Sequence, residues 1–186
     1  MIDQSIIARI EDRMKKSVEA IRHELATIRT GRASSTLLDK IMVEAYGSEM
    51  PLKQLAGISV PEARLIVIQP FDKSVVQSIE KAILKSDLGL TPNVDGTTIR
   101  LPIPALTEER RKELVKVVKK KVEDSKVSIR NIRRDANEEL KETEKKGQAS
   151  EDEVRRAQEH VQKTTDRYIK ELDDAFSVKE KEIMEV

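Results

Sequence analysis

Apolar residues recur every three or four positions at Ile7, Ile10, Met14, Val18, Ile21, Leu25 and Ile28, a spacing that draws one stripe along a helix. The stripe breaks at "TIRTGR", Thr27 to Arg32. Beyond Gly31 the period shortens. "KIMVEAYGSEMPL" reads as two strands around a turn at Tyr46-Gly47-Ser48, and "GISV" and "RLIVIQP" read as further strands rich in β-branched residues. "DKSVVQSIEKAILKSDLG" reads as a short helix capped by Asp72, with Val75, Val76, Ile79, Ala82 and Ile83 on its apolar face and Gly89 at its end. A hairpin, "NVDGTTIRLPIP", follows with Asp95-Gly96 in its turn.

Helical spacing returns at Thr107, a predicted N-cap with Glu108 and Glu109 at the positive end of the helix, and runs to Lys146. A helix of that length spans about 60 Å. Leu114, Val118, Val122, Ile129, Ile132, Ala136 and Leu140 form its stripe. Gly147 is a candidate left-handed C-cap, and Ser150-Glu151-Asp152-Glu153 a capping box. The last helix carries its stripe on Val154, Ala157, Val161, Thr164, Tyr168, Leu172 and Ala175.

Three long helices with narrow apolar faces bury those faces best on one another, and the short loop makes the last two antiparallel. The predicted architecture is therefore mostly α: an elongated antiparallel three-helix bundle formed by residues 1–30 and 105–186, interrupted by an inserted β/α/β domain of α+β class over residues 31–104. Two connectors join the domains, Arg29, Thr30, Gly31 and Arg32 on one side and Pro104, Ala105 and Leu106 on the other. They are the expected hinge, since hinges are commonly a few residues at the ends of elements. A glycine that merely ends a helix needs no mechanical role, and the two readings of Gly31 are compatible.

Composition agrees with this picture. Charged residues make up 37% of the 186 residues and aromatics 2%, which favours long solvated helices. The absence of cysteine excludes disulfide and thiolate chemistry and fits a reducing cytoplasm. "MIDQSIIARIEDRMKK" carries charges inside its first apolar run, so it is expected to be neither a signal peptide nor a membrane span.

The net charge is only +1, so attraction to nucleic acid has to come from how charge is distributed. Between Arg110 and Arg134 there are eleven Lys or Arg against three acids, Glu113, Glu123 and Asp124. At about 100° per residue, Lys112, Lys116, Lys119, Lys126, Arg130, Arg133 and Arg134 share one face, interrupted by Glu123 and followed by Asn137 and Lys141. The apolar stripe lies about 120° away. A merely solvated face would interleave Glu with Lys at i,i+4; this one forgoes most such pairing and calls for an external counter-charge. Arginine forks suit phosphate, so these residues, with Arg110, are the candidate RNA contacts. With four aromatics in the chain, Tyr46, Phe71, Tyr168 and Phe176, recognition by base stacking has little support. Structured RNA read by backbone and shape fits better. Charge alone would also suit double-stranded DNA, although no recognition-helix motif is present.

Catalytic signatures are missing. His23 and His160 sit among charged helical residues with no nucleophile nearby, and no Walker A, H-E-x-x-H or G-x-S-x-G occurs. A helical scaffold using the same stripes between chains is the rival reading, but it has no need of an acid-poor face.

Taken in order, "IRTGRAS" with "LLD" two residues on, "DKSVVQSIEKAILKSDLGLTP", "IRLPIPALTEERRKEL" and "IRNIRRDAN" resemble the ribosome recycling factor family across essentially the whole chain. The resemblance implies a three-helix bundle with a smaller domain inserted after the first helix, an L shape similar to transfer RNA in outline. It implies a non-enzymatic translation factor without cofactor or nucleotide site, and the three stripes with their short loop, which give each helix two neighbours within one chain, lead to the expectation of a monomer. Such a factor would bind large-subunit ribosomal RNA on the post-termination ribosome and split the subunits with elongation factor G, which hydrolyses the GTP. Arg130 and Arg133 match arginines of the family's RNA contact surface. Ala45 in "VEAYG" departs from a pattern that often carries a second aromatic there.

Overall fold

The computed structural model describes residues 4–185. It separates into two compact units, one of Met1–Ile28 with Glu108–Val186 and the other of Arg29–Thr107. The boundaries fall two residues before and three residues after those expected from the change of period, because both connecting segments fold with the second unit.

The first unit holds α1 (Gln4–Ala26), α4 (Glu108–Lys145) and α5 (Glu151–Met184). Its core joins Ile10, Met14, Val18, Ile21 and Leu25 of α1 to Val118, Val122, Ile129, Ile132, Ala136 and Leu140 of α4 and to Val154, Val161, Tyr168 and Leu172 of α5. Cross-helix ion pairs report the directions. Arg9 pairs with Glu139 at 2.6 Å and Lys121 with Glu24 at 3.0 Å, so α1 and α4 are antiparallel. Arg22 pairs with Glu171 at 3.1 Å and Arg167 with Glu11 at 3.5 Å, so α1 and α5 are parallel. At the α1 end, Ile6 takes the buried place and Ile7 is only partly covered. Ala175 is likewise half-buried, and Ile183 is the buried residue at the end of α5.

The α4–α5 corner is built from local signals. Gly147 sits at φ 68, its N–H donates to the Glu144 carbonyl at 2.8 Å and that of Gln148 to Thr143 at 3.1 Å, which is a Schellman ending. Ser150 and Glu153 then form a reciprocal capping box. At the far end of α5, the Arg111 guanidinium donates to the Met184 and Glu185 carbonyls, a cation where the helix dipole is negative.

The second unit opens with a 3-10 turn over Ser35–Leu38 and a hairpin of β1 (Met42–Ala45) and β2 (Ser48–Pro51). Its turn residues Tyr46 and Gly47 lie at φ 51 and φ 77, the left-handed pair of a tight hairpin, so Ser48 belongs to the strand. A single helical turn, α2 (Leu52–Leu55), leads into β3 (Ala56–Glu62) and β4 (Leu65–Pro70). Neither short helical turn has enough residues to show a period. After α3 (Val76–Lys85) come β5 (Asn93–Asp95) and β6 (Thr98–Pro102). The four-stranded sheet is antiparallel in the order β3-β4-β6-β5. Ile66, Ile68, Ile99 and Leu101 meet Val75, Val76, Ile79 and Ile83 beneath it. Asp72 caps the turn before α3 through the Ser74 N–H at 2.9 Å. The helix stops at Lys85, short of Gly89, because the Ser86 N–H and hydroxyl both reach back to the Ile83 carbonyl.

Candidate nucleic-acid interface

Ion pairing sorts the cations of the bundle. On α1 every Lys and Arg has a carboxylate: Arg9 with Glu139, Arg13 with Asp135, Lys15 with Glu19, Lys16 with Asp12 and Arg22 with Glu171. On α4, Lys116, Lys119, Lys120, Arg130 and Arg134 have none among the described residues. Lys116, Lys119 and Arg134 are exposed and Arg130 is half-buried. Arg133 is half-buried too, and its guanidinium donates to the Gln162 side-chain oxygen at 3.5 Å, a neutral contact that leaves its charge available. Since α4's buried row is Val118, Val122, Ile129, Ile132, Ala136 and Leu140, these cations stand clear of the core.

Three expected contacts are placed differently. Lys112 projects with the row but pairs with Glu108 at 2.7 Å, an exposed i,i+4 pair that water and salt screen. Arg110 lies two positions earlier, about 200° around the helix, and pairs with Glu113 at 3.0 Å. Lys126 departs furthest from the exposed row. Its side chain is only 12% exposed, wedged between Asp173 of α5 and Glu123 at 3.2 Å. The Asp173 carboxylate holds the ammonium above its ordinary pKa, against the opposing effect of burial, and Glu123 adds to the rise. This triad ties α4 to α5 and accounts for the carboxylate that interrupts the basic face. Sequence spacing could not find it, because Asp173 lies on another helix. Asn137, which follows the basic face, is half-buried with its side-chain oxygen enclosed and without a hydrogen-bond partner among the described residues.

The expected hinge residues all fall within the second unit. Arg29 donates to the carbonyls of Leu88 and Asp87, the latter at 3.0 Å. Gly31 takes φ 76 with Leu106 against it. The Ala33 N–H reaches the Ala63 carbonyl at 2.7 Å and the Ile103 N–H that of Arg64 at 2.8 Å. Thr30 and Leu106 are half-buried, while Arg32, Pro104 and Ala105 are exposed. Among the described residues no group of three or more His, Cys, Asp or Glu is arranged to hold a metal ion. Among the described residues no helix is long and apolar enough to cross a membrane.

A two-unit chain with one helix of uncompensated cations has close counterparts. The family model for ribosome recycling factor matches residues 21–184. The chain is 58% identical to the ribosome-recycling factor of Halalkalibacterium halodurans and 56% identical to that of Bacillus subtilis, with all of both chains covered in each case. It superposes on a solution structure of ribosome recycling factor with TM-score 0.80 and 48% identity, again over the whole of both chains. A second solved relative, at TM-score 0.66 and 44% identity over full length, is the Thermus thermophilus factor in models of it and Escherichia coli elongation factor G bound to the E. coli post-termination complex. The chain belongs to the ribosome recycling factor family.

Proposed function

We propose that this chain recycles ribosomes: it binds the post-termination complex through large-subunit ribosomal RNA and, together with elongation factor G, separates the subunits. The observation that carries the reading is the full-length likeness to a factor described, with elongation factor G, as bound to the post-termination complex. The work is non-enzymatic on this chain's side, and GTP is hydrolysed by the partner. The unpaired cations of α4, with Arg130 and Arg133 at their centre, are the proposed RNA contacts, because forked guanidinium groups free of carboxylates are matched to phosphate. Within one chain each helix of the bundle already has two neighbours for its apolar face, which supports a monomer. A cytoplasmic location follows from work on the ribosome.

The chain passes between its two units at Ile28–Arg29 and Thr107–Glu108. Because Arg29, Gly31 and Leu106 are engaged within the second unit, we place any turning at these two crossings, with Gly31 a stiffener of the connector. The test is light scattering of post-termination ribosomes. Scattering should fall only with this chain, elongation factor G and GTP together. Splitting without elongation factor G, or GTP hydrolysis by this chain alone, would overturn the reading.

A further inference from the structure

Lys126 and Arg133 stand seven residues apart on α4, a step that drifts only about 20° around a helix, and both reach across one seam to α5. They meet different chemistry there. Lys126 meets the Asp173 carboxylate and is largely buried with it. Arg133 meets an amide: its Nη1 donates to Gln162 Oε1 at 3.5 Å, and Gln162 Nε2 in turn donates to Asp166 Oδ1 at 2.8 Å.

Only one orientation of that amide satisfies both neighbours. An ionised carboxylate solely accepts hydrogen bonds and a guanidinium solely donates them, so the nitrogen has to face Asp166 and the oxygen has to face Arg133. Asp166 lies four residues after Gln162, the spacing at which side chains on a helix are neighbours. The lock on the amide is therefore local to α5. On α4, the residues one turn to either side of Arg133 are Ile129, Arg130, Ala136 and Asn137, so no acid on its own helix is placed to neutralise it. The counter-charge could have come from α5, as it does for Lys126, and Gln162 stands in its place. A guanidinium has five N–H donors, and this contact occupies one of them.

We infer that Gln162 is a positioning residue for Arg133: with its amide locked by Asp166, it steadies the half-buried guanidinium for a phosphate of ribosomal RNA without cancelling its charge. Holding a long side chain before the ligand arrives lowers the ordering cost of binding. A carboxylate would hold the arginine as firmly and remove the charge that the RNA is to meet. The inference rests on the proposed RNA contact of Arg133, and the two fail in different ways.

The experiment measures binding of the full-length chain to isolated large ribosomal subunits across a range of salt concentrations, with the melting temperature of each variant taken alongside. Gln162→Glu should lower the log-log salt slope by about one, as Arg133→Ala does, and keep the melting temperature near native. Combined with Arg133→Ala it should do nothing further, because its effect passes through that arginine. Gln162→Ala, which frees the guanidinium but leaves its charge, should weaken binding several-fold at every salt concentration with the slope unchanged. If Gln162→Glu lowers the slope equally in the Arg133→Ala background, the added charge acts on the RNA directly and the positioning role falls. A lower melting temperature with native binding in Gln162→Ala would make the contact a structural tie and overturn the inference as well. If Arg133→Ala itself leaves the slope unmoved, the RNA contact of Arg133 fails and the role of Gln162 fails with it.

Discussion

Gly31 and Leu106, one from each connector, are packed so closely that a β-carbon on the glycine would lie 3.1 Å from Leu106 Cγ. Gly31 also holds φ 76, which costs an ordinary L-residue about 1–2 kcal/mol. Gly31→Ala should therefore destabilise the chain by at least that amount in urea unfolding. Adding Leu106→Ala tests the packing: the cost of the alanine at position 31 should shrink in that background while the φ strain remains. Equal costs in both backgrounds would mean that the contact is slack.

Ile129 and Arg130 are neighbours with opposite consequences. Ile129 is fully buried in the bundle core, so Ile129→Ala should cost about 2–5 kcal/mol. Arg130→Ala and Arg133→Ala should leave thermal stability nearly intact and lower the salt slope of subunit binding by about one each. Unfolding by the arginine changes, with binding kept, would make this face structural.

Lys126 shares the arginines' basic face in sequence and should behave unlike them. Lys126→Ala removes a cation shared by Asp173 and Glu123, and charged hydrogen bonds of this kind contribute about 1.5–3 kcal/mol. A lower melting temperature with an unchanged salt slope is expected, and Lys126→Arg should restore part of the stability. A change in slope without one in melting temperature would return Lys126 to the RNA contacts.

The contrast marks what the sequence carries. Helix period, the Gly147 and Ser150 corner and the change to strand period are local, and they outline three helices with a domain between the first two. Gly89 was misleading because a turn glycine and a helix-ending glycine look alike, whereas the ending is decided by Ser86 reaching back to Ile83. The partners of Lys126 and Arg29 are not legible in the sequence for a different reason. These partners, Asp173 and the Leu88 and Asp87 carbonyls, are distant in sequence, and whether a cation is free or engaged depends on them.

Tyr46 and Asp72 hold the β1–β2 hairpin to the start of α3 through a hydroxyl–carboxylate hydrogen bond of 2.6 Å. That bond, helped by the Ser74 N–H, holds the Asp72 carboxyl below its ordinary pKa, and it raises that of the Tyr46 phenol. A depressed carboxylate stabilises the fold above its unfolded pKa and loses that contribution as pH falls through the folded value. A raised phenol contributes below its unfolded pKa and loses the contribution as pH rises through the folded value. The stability difference between the native chain and Tyr46→Phe should accordingly be largest near neutral pH and shrink toward both extremes. Carboxylate NMR should show Asp72 titrating at higher pH in the variant, and an unmoved titration would remove Tyr46 as the cause.

Arg29 offers the sharpest separation of holding from splitting. Its guanidinium joins the first connector to the loop after α3 through the Leu88 and Asp87 carbonyls, so the connector and the second unit move as one piece. If elongation factor G works by displacing the second unit, this clamp keeps the displacement from being absorbed in a slack connector. Arg29→Ala should speed amide exchange in residues 86–90, leave binding to large subunits close to native because the α4 cations are untouched, and slow subunit splitting several-fold. Arg29→Lys, which can reach a carbonyl but cannot fork between two, should fall between. Faster exchange together with native splitting rates would show that the connector carries no force, and the proposed crossings at Ile28–Arg29 and Thr107–Glu108 would lose their mechanical role.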